Sequence, residues 1–254
     1  MQREGSGWTD GVIGVVGEDA PDVADRIAAA DERATVVTGS AATGADLVVA
    51  VGESALLATV RSDATTPVLP VGTGGAVRDV PAADLEAAIE SVRSGTARLH
   101  DRPLLAAAVG EEEYRALMDV MAVTTEPAKI SEFAIDTGAT TDGTAVDVVR
   151  ADGVVVATPA GTPGYASAAG GPVLTPDLSA VAVVPVGPFR IDRTHWVLDV
   201  PTTVTVARDE TPVSLLVDDE EVGSVPPHEP IELTWGSSVP LVRTPVSRSP
   251  FEGD

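Results

Sequence analysis

Asp152-Gly153-Val154-Val155-Val156-Ala157-Thr158-Pro159-Ala160-Gly161-Thr162-Pro163-Gly164-Tyr165-Ala166-Ser167-Ala168-Ala169-Gly170-Gly171-Pro172 is the stretch on which this chain's fold turns. Gly153–Thr158 is a short run of β-branched and small residues, the pattern of a buried strand. It empties into a loop of small residues carrying one aromatic, Tyr165. Small residues let a flat ring approach the backbone, and a tyrosine face can stack on such a ring. A tight loop with a core tyrosine is the competing reading.

Working outward, the first 95 or so residues alternate between strand and helix patterns. Val12–Val16, Thr35–Thr38, Leu47–Val51 and Val68–Val71 are short apolar or β-branched runs. Pro21 to Ala30 has helical spacing with acids at its start, which complement the helix dipole. A second helix is expected to open at Pro81 and close at Gly95. Strands separated by helices imply a parallel, Rossmann-like sheet. After His100 the texture changes. Leu104–Val109, Ala145–Arg150, Gly153–Thr158, Ala180–Pro185, Trp196–Val200, Thr203–Ala207 and Val213–Val217 are strand-like, so this part is expected to be mostly β. Glu111 to Val123 is ambiguous, since its propensity favours helix while Gly110 suits a hairpin turn.

Composition narrows the class. The chain has 254 residues, enough for two modest domains, and only 3% aromatics, so Val, Ala and Leu must fill the core. It carries 39 acidic and 16 basic residues, a net charge of −23, and a single lysine, Lys129. The acids are scattered rather than gathered in a tail. That distribution suits the solvated surface of a halophile's protein, because the Debye length falls to about 3 Å in 1 M salt and carboxylate repulsion is screened. A surface for binding basic partners is the alternative. No basic stripe exists to neutralise phosphates, so nucleic-acid binding is not expected. No cysteine is present, which removes disulfides and thiolate metal sites. No run approaches the ~20 apolar residues of a membrane span. The start, Met1 to Gly7, lacks a signal peptide's apolar core, so the expected location is the cytoplasm, with no membrane partner.

Two further places bear on chemistry. Ala50-Val51-Gly52-Glu53-Ser54-Ala55-Leu56-Leu57 delivers a glycine and a carboxylate from a strand end to a helix start. Such a start favours anions, and the carboxylate can take a proton from an attacking hydroxyl. From these residues alone, an ordinary helix start with Glu53 favoured by the dipole is the plainer reading. Gly72-Thr73-Gly74-Gly75 follows another strand but lacks the dinucleotide fingerprint, as do Gly11, Gly14 and Gly17. His100, His195 and His228 have no metal-ligand spacing, and no metal site is expected from protein residues alone.

The 152–172 stretch resembles the signature of the NAD kinase family, a strand and Asp-Gly leading to Ser-Thr-Pro-Thr-Gly-Ser-Thr-Ala-Tyr-Ser and then Ala-Gly-Gly-Pro. Thr158, Pro159, Gly161, Tyr165, Ala169, Gly170, Gly171 and Pro172 match it. Pro67-Val68-Leu69 with Gly74, Arg102-Pro103-Leu104-Leu105, Pro127-Ala128-Lys129 with Phe133, and Val217-Asp218 match other family segments. The resemblance implies an N-terminal Rossmann-like α/β domain over residues 1–98 and a C-terminal β-rich, β-sandwich-like domain over 99–243. Residues 244–254 would pack back on the first. It also implies a β-hairpin, not a helix, at Glu111–Val123.

The activity implied is transfer of the terminal phosphoryl group of ATP, with Mg²⁺, to the 2′-hydroxyl of the adenosine ribose of NAD. Glu53 then stands where the family has its proposed base, with Gly52, Ser54 and Gly74 on the phosphate side. Asp119, Thr158, Thr162, Gly164, Tyr165 and Asp218 fall on the dinucleotide side. The family commonly forms homodimers and tetramers. Departures are concentrated in the phosphate loop. Val51 and Ser54 replace glycines, and Glu53 lengthens an aspartate, where an error of about 1 Å can cost ~100-fold in rate. Met118-Asp119 replaces Asn-Glu, Asp219 replaces a glycine, and Ala160, Pro163, Gly164 and Ala166 replace Thr, Thr, Ala and Ser. A non-catalytic paralogue that binds a dinucleotide, as a regulatory or structural subunit, is therefore the alternative, and a kinase for another hydroxyl the third.

Overall fold

The structure is a computed structural model of the chain; it describes all residues except 1, 5–10, 32–33, 43, 63–64, 75–76, 127–128, 139–143, 190–194, 210 and 250–254. Gly75, Pro127 and Ala128, named above, lie outside the described residues. The elements run β1 (Gln2–Glu4), β2 (Val12–Val16), α1 (Ala20–Ala30), β3 (Thr35–Thr38), β4 (Leu47–Val51), α2 (Glu53–Arg61), β5 (Val68–Val71), α3 (Leu85–Arg93) and β6 (Arg98–Val109). They continue with β7 (Glu112–Ala116), β8 (Asp119–Thr124), β9 (Ser131–Thr137), β10 (Thr144–Ala151), β11 (Gly153–Ala157), β12 (Val181–Val186), β13 (Trp196–Leu198), β14 (Thr202–Arg208), β15 (Val213–Val217), β16 (Glu220–Val225) and β17 (Pro230–Arg243). Two compact units result, one of Met1–Arg102 with Ser238–Asp254 and one of Pro103–Ser237.

In the first unit, β3, β2, β4 and β5 form a parallel sheet in that order. The end of β17 joins β5 in parallel, Leu241 opposite Val68. Apolar residues at helical spacing, Val23 and Ile27 on α1 and Leu85, Ala88, Ile89 and Val92 on α3, share one cluster with Ile13, Val15, Leu47, Val49, Leu69 and Val71 of the strands. The chain leaves β2 for β3 on one side and enters β5 from β4 on the other. Strand order therefore reverses between β2 and β4, and the crevice beyond the carboxyl ends of those strands is where open α/β sheets bind ligands.

The second unit is a sandwich. One sheet is antiparallel in the order β13-β12-β11-β8-β15-β16, and β10, β9, β14 and the start of β17 run antiparallel in the other. Val120, Val154, Val156, Val183 and Leu215 from the first meet Phe133, Ile135, Val204, Val206 and Ile231 from the second in a continuous core. Alternation along β11 sends Val154 and Val156 into that core and Val155 and Ala157 to the opposite face. There Ala166 and Leu174 from the following loop cover them. Burial on both faces is why this strand reads as an unbroken apolar run.

Glu112–Ala116 and Asp119–Thr124 are strands, with Gly110 at φ +60° in the turn that leads in, so cross-strand pairing overrides the local helix propensity. Two strands carry no clear sequence signal. β16 is mostly exposed, and β17 contains Pro230, Gly236 and Pro240, residues that count against a strand. The loop after β11 holds one turn of π-helix, Thr162–Ala166. No helix among the described residues is long and apolar enough to cross a membrane.

Phe133 is fully buried, the largest such side chain in a core whose other fully buried members are aliphatic. Phe133→Ala is expected to cost about 3–5 kcal/mol, read as a lower denaturation midpoint at unchanged slope. A loss under about 1 kcal/mol would show that the core collapses around the gap.

Candidate functional site

A cavity of about 800 Å³ opens in the first unit where the strand order reverses. Its lining includes Gly17, Glu18 and Asp19 after β2, Gly52, Glu53 and Ser54 after β4, and Gly72 after β5. Gly52 sits at φ +85°, a left-handed conformation suited to glycine. Its N–H donates to the Val71 carbonyl at 2.9 Å, and its own carbonyl accepts from Leu56 at 3.2 Å. The glycine thus ends β4 and begins α2 in one step. No side chain caps α2, which leaves its first-turn N–H groups for an incoming anion. Glu53 and Ser54 are exposed, and Glu53 is the acid of that first turn.

Gly74 is exposed at φ +77° but does not line the cavity; Gly72, at φ +63°, does. Between them Thr73 is buried, with its N–H and hydroxyl both donating to Asp79 Oδ2, at 2.6 and 3.1 Å.

Gly17, Glu18 and Asp19 were not singled out as site residues by sequence reasoning. The signal was present: Val16-Gly17-Glu18-Asp19-Ala20 repeats the pattern of Val51-Gly52-Glu53-Ser54-Ala55. Each copy ends a strand at the reversal and starts a helix. Gly17 adopts φ +127°, and a Cβ there would strike the Val51 carbonyl and lie 3.0 Å from the Val51 Cβ. Only glycine fits opposite Val51.

In the second unit the ends of three adjacent strands are bolted together. Asp218, just past β15, is buried at φ +55°. Its carboxylate accepts from the N–H groups of Leu117 at 3.1 Å, Met118 at 2.7 Å and Asp119 at 3.2 Å. Its own N–H donates to the Asp119 carbonyl at 2.8 Å. Burial pushes the Asp218 carboxyl above the usual range, against the three N–H donors that favour its charge. Thr158, just past β11, donates its hydroxyl to the Leu117 carbonyl at 2.6 Å and its N–H to the Met118 carbonyl at 2.8 Å. A Cβ on Gly161 would collide with the Met118 carbonyl, so close backbone approach fixes that glycine.

Thr162 is fully buried; its hydroxyl donates to the Pro159 carbonyl at 3.0 Å and accepts from Leu174 N–H at 3.0 Å. Asp119 is buried at the start of β8. Gly164 and Tyr165 are different. Both are exposed, Tyr165 by 59%, and a Cβ on Gly164 would meet nothing. The hydroxyls of Thr158 and Thr162 are therefore spent on the chain itself, and Tyr165 is the aromatic face that this loop presents to solvent. Asp192 and Arg193, a further pair near a family segment, lie outside the described residues.

Residues 118–242 match the ATP-NAD kinase C-terminal domain. The chain is 31% identical to the NAD kinase of Methanosarcina acetivorans over 196 residues, covering 75% of this chain and 70% of that protein. It is 34% identical to the NAD kinase of Methanosarcina mazei over 167 residues, covering 64% of this chain and just over half, 56%, of that relative. Among solved structures, an NAD kinase from Archaeoglobus fulgidus in complex with ATP superposes with a TM-score of 0.73 at 23% identity, covering 91% of this chain and 92% of that one. Yeast NADH kinase complexed with NADH superposes at 0.72 and 18% identity, covering 92% and 83%. A Rossmann-like parallel sheet, an antiparallel β-rich unit and a signature loop packed against β8 are thus accompanied by sequence identity over most of a relative's length, and the chain belongs to the NAD kinase family.

Proposed function

We propose that this chain transfers the terminal phosphoryl group of ATP to the 2′-hydroxyl of the adenosine ribose of NAD, giving NADP and ADP. The observation that carries this reading is the exposed Glu53 carboxylate, first residue of α2, in a cavity at the strand-order reversal. Glu53 accepts the proton of the ribose hydroxyl as its oxygen attacks the γ-phosphorus. The new O–P bond forms as the bond from the β–γ bridging oxygen to the γ-phosphorus breaks, and ADP leaves. Gly52 lets the backbone approach the phosphates, and the N–H groups of Glu53 and Ser54 share their charge. Gly164 and Tyr165 contact the dinucleotide, Tyr165 stacking on adenine. Thr158, Thr162 and Asp218 hold that loop from behind, and Asp119 stands at the start of β8 where the family has its acid.

Among the described residues the cavity lining has three carboxylates, Glu18, Asp19 and Glu53, and no Lys or Arg. Hard oxygen donors suit Mg²⁺, which is commonly held by one or two carboxylates together with substrate phosphates. No cluster of three or more acidic, His or Cys side chains among the described residues is arranged as a cage; Glu18 and Asp19 would hold such a cation together with the nucleotide's phosphates. It would supply neutralisation of phosphate charge. We infer a homodimer or homotetramer working in the cytoplasm of a high-salt cell, a reading that the scattered acids and the net charge of −23 support for the salt and the family resemblance for the assembly.

Glu53→Gln is expected to lower turnover of ATP and NAD by about 100-fold or more while NAD still binds. Tyr165→Ala is expected to weaken NAD binding by roughly tenfold, the usual value of a lost stacking partner. Equal turnover in wild type and Glu53→Gln, or no NADP from the wild type in high salt with Mg²⁺, would sink the phosphotransferase reading.

A net charge of −23 predicts salt-dependent stability. Raising KCl from 0.1 to 3 M is expected to raise the melting temperature by roughly 10 °C as carboxylate repulsion is screened. An unchanged melting temperature would separate the acidic surface from any salt adaptation.

A further inference from the structure

The loop that carries Gly72 and Gly74 is fastened to the last segment of the chain. Asp79 is the joint. Its carboxylate is buried and holds Thr73 by both N–H and hydroxyl. Its backbone carbonyl accepts the Arg248 N–H at 2.8 Å, and the two residues form an antiparallel bridge. The Arg248 guanidinium reaches Asp84 at the start of α3, Nη2 to Oδ2, at 3.2 Å.

Upstream of Arg248 the segment closes on itself. Thr244 N–H donates to Ser247 Oγ at 3.0 Å, and Ser247 N–H donates to the Thr244 carbonyl at 3.0 Å. Val246 packs against the core of this unit, and Ser249 is buried. At the other end of the loop, Gly72 N–H donates to the Val80 carbonyl and Val80 N–H to the Pro70 carbonyl, both at 2.9 Å. The path from the tail to the cavity is therefore short: Arg248 to Asp79, Asp79 to Thr73, and Thr73 to its neighbour Gly72 in the lining.

We propose that Thr244–Ser249 is a positioning strap, which grips Asp79 and so holds Gly72 in place for the phosphates of a nucleoside triphosphate. A glycine loop with two left-handed residues has many conformations open to it when free. A loop already held in its bound form spends less binding energy on ordering. Asp79 and Arg248 are positioning residues here, touching the loop rather than the ligand. The inference rests on the nucleotide reading of the cavity.

The test uses the full chain in high salt and measures Mg·ATP affinity by titration calorimetry, NADP formation, and amide hydrogen exchange over Pro70–Val80. Arg248→Pro removes the N–H that Asp79 accepts; Asp79→Ala removes the carboxylate; Asp79→Asn keeps one acceptor oxygen. The first two are expected to speed exchange at Gly72 and Thr73 and to weaken Mg·ATP binding roughly tenfold, with Asp79→Asn restoring most of the affinity. Faster exchange with Mg·ATP affinity within twofold of wild type would overturn the strap. A wild type that binds Mg·ATP but forms no NADP would remove the kinase reading, and a weakened affinity in the variants would still support the strap. A wild type that binds no Mg·ATP would remove both.

Discussion

The buried carboxylate of Asp218 is the constraint from which the second unit takes its order. β11, β8 and β15 are neighbours in one sheet. The chain just past β15 supplies Asp218, the turn before β8 supplies three N–H donors, and the chain just past β11 supplies Thr158. A carboxylate deprived of water must be compensated by hydrogen bonds, or its burial costs several kcal/mol. Here the compensation comes entirely from one turn, Leu117–Asp119. Moving any of the three strand ends would break that arrangement, so the loop from Thr158 onward leaves the sheet in a fixed direction. Thr162 and Gly161 continue the same contact inward, which leaves Tyr165 facing out.

Much of this was legible in the sequence, and what was not has physical causes. The strands Val12–Val16, Leu47–Val51 and Gly153–Ala157 were readable because strands covered on both faces must be apolar at every position. That Glu112–Ala116 and Asp119–Thr124 are strands was not decided by their residues; only family resemblance favoured strand over helix, and the hairpin there is formed by β6 with β7, because β8 pairs with β11 and β15 instead. β17 was hidden because Gly236 and the prolines break a local pattern that its neighbours on either side tolerate. The site divides the same way. Glu53 and Tyr165 stood out as a charge at a helix start and an aromatic among small residues. The inward turn of Thr158 and Thr162 could not be seen, since a hydroxyl's direction depends on packing that lies far off in sequence, such as Leu117 for Thr158. Gly17 required knowing that β2 and β4 are adjacent.

Charge works against the cavity as much as for it. Among the described residues, Glu18, Asp19 and Glu53 line it without a Lys or Arg, while Arg26 is committed to Glu86 and Arg248 to Asp84 elsewhere on the same unit. A triphosphate approaching such a lining meets like charge and is favoured only by backbone N–H groups, a bound divalent cation and screening salt. Concentrated salt reduces the repulsion between exposed carboxylates and phosphates to a few ångströms' range, yet it screens less where water is excluded. The backbone therefore has to do more of the recognition than side chains do.

That burden bears on which residues of Val51-Gly52-Glu53-Ser54-Ala55 have to be glycine. Glycine is required only where the backbone is left-handed or where a Cβ has no room. In Val51-Gly52-Glu53-Ser54-Ala55 the one left-handed residue is Gly52, and it is retained. Ser54 lies within α2, in a conformation open to any residue. Val51 ends β4, and the space its side chain takes is given up by Gly17 across the crevice. Gly52 and Gly17 thus set the backbone path that presents α2 to the cavity, and the Glu53 carboxylate stands on the first residue of that helix.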